Sequence, residues 1–333
     1  MLTEHHTGPD AFSALAGEWD ALAGQSMTDT PFQTLAYQQA WWQHLPPPEA
    51  TLHTITARAA DGRLAAIGCF FIQDGSLHFN GCVEETDYLD LIVRPEEAAA
   101  AWTAVLNHLR QPDFPAWRVA KLCNIPGASP TRQILPQLAA QQGLDCREVV
   151  AEVCPVIPLP TTFDAYLEML DSKQRREVQR KLRRAAAADA QLVIVGPADD
   201  LTQAVDEFLA LLQLSTFAKR DWLHDGRRAA FHAFAQSALA AGTLQLMFIA
   251  VEGQKAAALF NFDYKGRIWV YNSGLDPDAF GGLSLGVVLT AKAIEHAIEN
   301  GRTTFDFLRG NETYKYRFGA QDTEIYQIKL QKL

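Results

Sequence analysis

The chain lacks any apolar run long enough to cross a membrane. Its longest apolar stretches, such as 244–251, have the length of one strand, whereas a membrane-spanning helix needs about 20 residues. The first thirty residues contain neither a basic start nor an apolar segment, so we expect no secretory signal. These absences predict a soluble, cytoplasmic protein without a transmembrane segment.

Cysteine is scarce, and histidine is not spaced for metal binding. The five cysteines, at positions 69, 82, 123, 146 and 154, form no C-x-x-C motif. We therefore expect reduced, mostly buried thiols rather than a disulfide framework or a zinc site. The nine histidines include no H-x-x-x-H pair, so no metal is expected.

Basic residues are outnumbered, since 29 Lys and Arg face 39 Asp and Glu and give a net charge of −10. This balance argues against a general nucleic-acid-binding protein. Residues 172–184 are an exception, with seven basic side chains and one acidic. Val178, Leu182 and Ala185 recur at helical spacing, which predicts an amphipathic basic helix over 172–188. Its cationic face is either solvated or in contact with an anionic substrate.

Hairpin signals occur twice along the chain. Asp61-Gly62 and Asp74-Gly75 separate three strand-like runs in the first half, and Glu252-Gly253 and Lys265-Gly266 do so in the second. Each meander is preceded by two helical segments and followed by a helix and a short strand. The repeated order predicts two similar α/β units, and 333 residues suffice for about two domains.

The boundary between these units is predicted near residue 155. Three prolines within 155–160 exclude a helix there. We therefore expect an N-terminal domain over 1–154 and a C-terminal domain over 155–333, which includes the basic helix.

A glycine-rich loop follows the second meander and leads into a helix that begins near Ser284. The first turn of a helix has unpaired N–H groups and the positive end of the helix dipole, so it favours phosphates or oxyanions. Alternatively, Ser284 simply caps the helix. The G-x-S-x-G match at 282–286 is not a nucleophile elbow, because 275–281 separate the serine from the strand and only His296 follows it.

A second polar segment lies at 304–319, just after a short predicted strand. Ligands in α/β folds usually bind beyond the carboxyl ends of strands. Asp306, Arg309, Glu312 and Lys315 are therefore expected to converge on one pocket beside the helix start. Carboxylates there would accept a proton, and cations would stabilise developing negative charge. The alternative is a salt-bridged surface loop.

Together these segments resemble a known family. The sequences at 173–176, 271–276, 284–286 and 306–315 are similar to the CelD/BcsL-like (cellulose biosynthesis protein-like) branch of the GNAT acyltransferases, which is related to the FemAB peptidyltransferases. The resemblance is specific in the last 160 residues or so, and Asp87-Tyr88-Leu89-Asp90 is its best match in the first 150. It implies tandem GNAT-like α/β (α+β) domains, each a mixed, mainly antiparallel sheet flanked by helices.

The resemblance also implies site residues. The donor pyrophosphate would lie on the helix start, formed by Gly281, Gly282, Leu283, Ser284, Leu285 and Gly286. This segment lacks the leading amide or cation of the GNAT motif Q/R-x-x-G-x-G/A, and serine replaces its middle glycine. Asp306 is the first choice for proton acceptor and Glu312 the second, with water as a third option, while Lys315 would stabilise charge on the transferring centre. Tyr271, Asp276 and Arg309 would contact the substrate.

The implied activity is direct acyl transfer without a covalent enzyme intermediate. We expect an acetyl-CoA-dependent N- or O-acetyltransferase that acts on a sugar, amino-sugar or small metabolite, in keeping with polysaccharide biosynthesis. One alternative is a FemAB-like peptidyltransferase that uses aminoacyl-tRNA, and tRNA is the only nucleic-acid partner that the resemblance implies. A second alternative is a non-catalytic binding protein of polysaccharide assembly.

Overall fold

The structure is a computed structural model that describes residues 1–82 and 84–332, without the side chains of residues 217 and 218. The chain forms two compact units. The first comprises Met1–Val153 together with the residues from Glu324 on, and the second comprises Cys154–Thr323.

The first unit contains a mixed sheet with helices packed against it. The strands that begin here are β1 (Leu2–Thr7), β2 (Thr51–Arg58), β3 (Leu64–Gln73), β4 (Ser76–Phe79), β5 (Ile92–Val93), β6 (Val119–Pro126) and β7 (Leu144–Pro158). The helices are α1 (Asp10–Ala14), α2 (Trp19–Ala23), α3 (Leu35–His44), α4 (Ala98–His108) and α5 (Thr131–Gln141).

The second unit repeats this combination of a mixed sheet and helices. Its helices are α6 (Phe163–Met169), α7 (Ser172–Ala187), α8 (Leu201–Ser215), α9 (Phe217–Trp222), α10 (Asp225–Ala240), α11 (Leu285–Glu299) and α12 (Thr313–Arg317). The strands that begin here are β8 (Gln191–Ile194), β9 (Leu244–Val251), β10 (Gln254–Tyr264), β11 (Arg267–Leu275), β12 (Thr304–Asp306) and β13 (Gln321–Lys332). A short 3-10 helix, Gly281–Leu283, precedes α11.

The two units share one topological plan. Strands β2 to β4 form an antiparallel meander in the first unit, and β9 to β11 form one in the second. In each unit a helix, α4 or α11, follows the meander and leads to a strand that pairs parallel with its last member: β6 with β4, and β12 with β11. The duplicated α/β plan predicted from the hairpin signals is therefore confirmed.

The C-terminal strand differs from the predicted domain boundaries. Strand β13 pairs antiparallel with β6, from Ile325 opposite Pro126 to Gln331 opposite Val119. The predicted C-terminal domain extended to residue 333, whereas the pairing with β6 gives the residues from Glu324 on to the first unit. Backbone pairing between segments so far apart in sequence leaves no local signal.

The core of the second unit forms between α11 and the sheet. Leu285, Val288 and Leu289 are buried on one side of α11 and share a core cluster with Ile268 of β11 and Phe305 of β12. This helical spacing of apolar residues makes α11 a core helix and fixes its first turn at the ends of these strands.

The structure corrects the expectation for the cysteines. Cys82 and Cys123 are joined in a disulfide, with Cα atoms 6.2 Å apart, whereas Cys69, Cys146 and Cys154 are free. Cys82 follows β4 and Cys123 lies in the neighbouring β6. Pairing between strands brings the two thiols together, and sequence spacing alone does not reveal it.

Within the described residues, no helix is both long and apolar enough to span the lipid bilayer. The same part of the chain contains no group of three His, Cys, Asp or Glu side chains arranged to hold a metal ion.

A histidine cluster lies between β1 and β2 of the first unit. His53 is 2% exposed, and its ring contacts His5 Nε2 at 3.0 Å and Thr51 Oγ1 at 2.9 Å. Burial, followed by the charge of His5, lowers the pKa of His53 from 6.5 to about 4. Burial also lowers the pKa of His108, whose ring centroid is 5.7 Å from that of His5.

This cluster predicts loss of stability in acid. Between pH 6.5 and 4 the unfolded chain binds a proton at residue 53 that the folded chain does not, so the free energy of unfolding falls as the pH falls through this window. The cost of the complete shift is about 3 kcal/mol. Thermal unfolding of the full chain, followed by circular dichroism, should show this slope, and His53→Gln should flatten it. An unchanged slope in the variant would contradict the assignment.

Candidate active site

Strands β11 and β12 of the second unit pair along only part of their length. The parallel pairing runs from Arg267 opposite Thr304 to Trp269 opposite Asp306, and β11 then continues to Leu275 with no described strand paired to it on this side. After β12 the backbone turns away at Leu308, whose φ is +58°. The two strands therefore enclose a wedge beyond residue 269.

The wedge opens into a cleft of about 390 Å³ on the α11 face of the sheet. Its walls are largely apolar, with Val270, Leu289 and Phe307 among them, and it also reaches Ser273 and Tyr314. A mostly apolar cleft with a few polar groups at its edge is the usual form of a small-molecule site.

The start of α11 borders this cleft. Ser284, with φ +56°, makes no side-chain capping bond, and its carbonyl accepts the N–H of Val287 at 2.9 Å. In the described structure, the N–H groups of Leu285 and Gly286 donate to no protein group. Free amides at the positive end of a helix dipole are suited to an anion, and the Ser284 side chain does not cap them.

Cations from α7 flank the same loop. Nη2 of Arg184 lies 3.6 Å from the position that a Cβ atom at Gly282 would occupy, and Lys181 lines the cleft. The side chain of Asp171 caps α7 by accepting the N–H groups of Lys173 and Gln174 at 2.9 Å. The positive charge that the loop lacks in sequence is therefore supplied by another helix.

Asp306 lies away from the cleft. Phe305 and Phe307 belong to the core packed against α11, so strand alternation directs Asp306 to the opposite face. Its carboxylate is fully buried and accepts Arg267 Nη1 at 3.3 Å and the Leu308 N–H at 2.9 Å. In this position Asp306 joins β11 to the turn after β12.

Lys315 holds the loop after β12 together. It is 3% exposed, and its Nζ donates to the carbonyls of Leu308, Arg309 and Gly310 at 3.2, 2.6 and 3.0 Å. Glu312 Oε2 lies 2.9 Å from the same ammonium. With all of its donors engaged, Lys315 acts on the loop backbone.

Gly310 is required by the conformation of this loop. Its φ is +107°, a region that side chains rarely adopt, and a Cβ atom there would lie 2.5 Å from Glu312 Oε2.

A group of titratable side chains lies at one edge of the cleft. The Glu312 side chain is 57% exposed, and its charge acts on both Lys219 and Tyr314. Burial lowers the pKa of Lys219 to about 8, an effect that Glu312 opposes. Burial and the Glu312 charge raise the pKa of the Tyr314 phenol, although 39% of the residue is exposed. Of the three predicted catalytic residues, Glu312 is the one exposed beside the cleft.

Helices α8 and α9 cover the unpaired edge of β11. Lys219 Nζ donates to the Ser273 carbonyl at 2.7 Å, and Ser215 Oγ accepts the Leu275 N–H at 2.8 Å. Gly274 allows this contact, because a Cβ atom there would lie 2.6 Å from the backbone nitrogen of Leu212.

The predicted substrate-contacting residues occupy three different settings. Asp276 lines the cleft, and its Oδ1 accepts the N–H groups of Asp278 and Ala279 at 3.0 and 3.2 Å. Tyr271 packs among Phe231, Phe234, Phe260 and Phe262 on the opposite face of β11. Arg309 is half-buried and is not part of the cleft wall.

Of the predicted donor-binding residues, Gly281, Ser284, Leu285 and Gly286 line the cleft. The remaining two lie beside it. Gly282 contacts Arg184, and Leu283 packs partly buried against the core.

The corresponding wedge in the first unit is filled by its own chain. The segment after β4 lies beside β6, where the Leu89 N–H donates to the Asn124 carbonyl at 2.9 Å. The buried Asp90 carboxylate accepts the hydroxyls of Thr28, Ser129 and Thr131, and burial raises its pKa to about 6. The cavity at Asp90 has a volume of only about 10 Å³.

Sequence reasoning missed the link between α7 and the glycine loop, and it missed Lys219. The seven cations of α7 marked this helix as unusual in the sequence, but they did not show that it lies beside the glycine loop before α11. Lys219 belongs to no recognisable motif in the sequence, and only its burial beside Ser273 distinguishes it.

Comparison with known proteins identifies the type of domain. Residues 172–316 match the model of the acetyltransferase (GNAT) domain, which supports an acyltransferase. No curated protein matches the chain.

Solved structures share the fold across nearly the whole chain. FemX superposes with a TM-score of 0.69 at 11% identity, covering 98% of this chain and 97% of its own. A putative lysylphosphatidylglycerol synthetase C-terminal domain from Agrobacterium fabrum gives 0.59 at 13% identity, with coverages of 97% and 92%. A tandem GNAT protein from the clavulanic acid biosynthesis pathway gives 0.51 at 14% identity, with coverages of 98%. The fold is therefore of the tandem GNAT-like type.

The position of Lys315 predicts a large effect on stability. Lys315→Met keeps the length of the side chain but leaves the carbonyls of residues 308–310 without their donor, which should cost about 2–4 kcal/mol. Lys292→Met, which removes a partly exposed ion pair with Glu295 on α11, should cost less than about 1 kcal/mol. Denaturant unfolding measures both variants, and equal midpoints would show that Lys315 does not hold the loop.

Proposed function

We propose that this protein transfers an acyl group directly from acetyl-CoA to an amine or hydroxyl of a sugar, amino-sugar or small metabolite. One observation carries the proposal: the apolar cleft between the parted strands meets unpaired helix amides and flanking cations. An acyl thioester attached to a diphosphate has the same two parts, an apolar arm and an anionic end.

The residues present fit such a donor. The N–H groups of Leu285 and Gly286 would hold the diphosphate, with Arg184 and Lys181 supplying positive charge. The pantetheine arm would run along the cleft beside Val270 and direct the thioester into the wedge. This donor set compensates for the missing cation of the glycine motif.

Acetyl-CoA supplies a thioester carbonyl carbon that forms a bond to the acceptor nitrogen or oxygen as the C–S bond breaks and the thiolate leaves. Glu312 would accept the proton that the acceptor loses, since its carboxylate lies beside the cleft. Lys219 would balance the Glu312 charge. Asp306 and Lys315 would act as positioning residues that fix the loop carrying Glu312.

We place the protein in the CelD/BcsL-like branch, and in polysaccharide biosynthesis, on the sequence motifs described above. A FemAB-like enzyme that uses aminoacyl-tRNA is the second candidate. The observation that favours it is the row of cations on α7, which suits a polyanionic donor. The likeness to FemX supports the shared fold and does not choose between the donors.

Binding of the donor tests the first proposal. Isothermal titration with acetyl-CoA should give measurable heat, and Gly286→Leu should weaken binding about tenfold or more, because a bulky side chain would enter the cleft at a cost of about 1–3 kcal/mol. The matched control is Gly17→Leu, since Gly17 is exposed and has open space around its Cβ position. Equal binding by the wild type and Gly286→Leu would exclude this cleft as the donor site.

Turnover tests the role of Glu312. Glu312→Gln should bind acetyl-CoA normally but lower kcat about 100-fold, because a general base typically contributes 10²–10⁴. Thiol release from acetyl-CoA in the presence of amino-sugars measures the rate. Glu299→Gln, at the exposed end of α11, serves as the control. An unchanged kcat in Glu312→Gln would mean that the proton passes to water.

A further inference from the structure

A second cleft, of about 480 Å³, lies between α7, α11 and α12. We call it the cationic cleft, because Lys173, Arg176, Arg180 and Lys181 of α7 and Arg317 of α12 line it. Its apolar floor includes Val178, Val287 and Phe318, and Tyr314 stands at its edge.

The positive charge of the cationic cleft is largely uncompensated. Glu177 is the only acidic side chain in the described lining, and it pairs with Arg180 at 2.8 Å and Lys181 at 3.3 Å. Within the described structure, Lys173, Arg176 and Arg317 have no carboxylate partner. Five cations against one anion, in a chain with net charge −10, form a strong local site for an anionic group.

The cationic cleft is continuous with the donor cleft. Both are lined by Lys181, Val287, Tyr314 and Phe318. The cations recur every three or four residues along one side of α7, a row about 16 Å long from Lys173 to Arg184. The row ends at Gly282, where Arg184 meets the loop that precedes the unpaired amides of α11.

We propose that the cationic cleft binds the 3′-phosphorylated nucleotide end of the donor. The proposal rests on the acetyl-CoA function given above. The amides at the start of α11 would hold a diphosphate, and the row of cations that leads away from them is placed to bind a further phosphate on the same molecule. In CoA the 3′-phosphate is separated from the diphosphate by a single ribose. Arginine binds phosphate in a bidentate manner, which suits Arg176 and Arg317 to this group.

Selection for the 3′-phosphate is the property to measure. Isothermal titration of the full chain should show that CoA binds at least about tenfold more tightly than 3′-dephospho-CoA, as expected for one well-placed charged pair. The double variant Arg176→Gln/Arg317→Gln should bind both ligands with the weaker affinity. Arg183→Gln is the matched control, since Arg183 is exposed on another side of α7 and lines neither cleft, and it should keep the wild-type preference.

The outcomes separate this inference from the proposed function. If CoA and 3′-dephospho-CoA bind the wild type equally, the inference is wrong and the donor proposal stands. If neither binds, and a 12-nucleotide RNA ending in CCA binds and is lost in the double variant, both are overturned in favour of a tRNA donor. A preference for CoA that the double variant retains would place the 3′-phosphate elsewhere and overturn the inference alone.

Discussion

The parting of β11 and β12 is the constraint on which the site depends. Their parallel pairing lasts for three residues, after which the two strands separate. On one side Gly274 brings β11 against α8, and on the other Asp306 and Lys315 bind the turn that carries the chain away from β12. The cleft is therefore fixed by close backbone packing at Gly274 and by hydrogen bonds between the charged side chains of this segment and the main chain.

The electrostatics of the site follow from the same arrangement. Like charges spaced three or four residues apart on one helix repel each other, so the cations of α7 weaken this helix. The Asp171 cap and the Glu177 pairs offset part of that cost. The row of cations on α7 leads to the loop that precedes the unpaired amides of α11. An anionic ligand bound there would reduce the repulsion between these cations.

The two units share one plan, but the wedge between the strands is filled in the first unit and open in the second. In both, the last meander strand pairs parallel with the strand that follows the helix, which creates a wedge. In the first unit the chain after β4 enters the wedge and hydrogen-bonds to Asn124, and Asp90 is surrounded by hydroxyl groups. In the second unit the corresponding chain passes through the glycine loop instead, and the wedge remains open.

The sequence by itself determined the repeated plan and the positions of the main elements. Hairpin glycines and strand alternation located both meanders, helical spacing located α7, and the glycine-rich segment located the start of α11. These features depend on residues close in sequence, because helices and strands each impose a characteristic spacing on their apolar residues. Only the tertiary structure decided which elements lie against one another. It placed Arg184 beside Gly282, directed Asp306 away from the cleft, bound Lys315 to the loop carbonyls and paired β13 with β6 of the first unit. These contacts join segments far apart in sequence, so they depend on the packing of the whole core and not on the periodicity of any one segment.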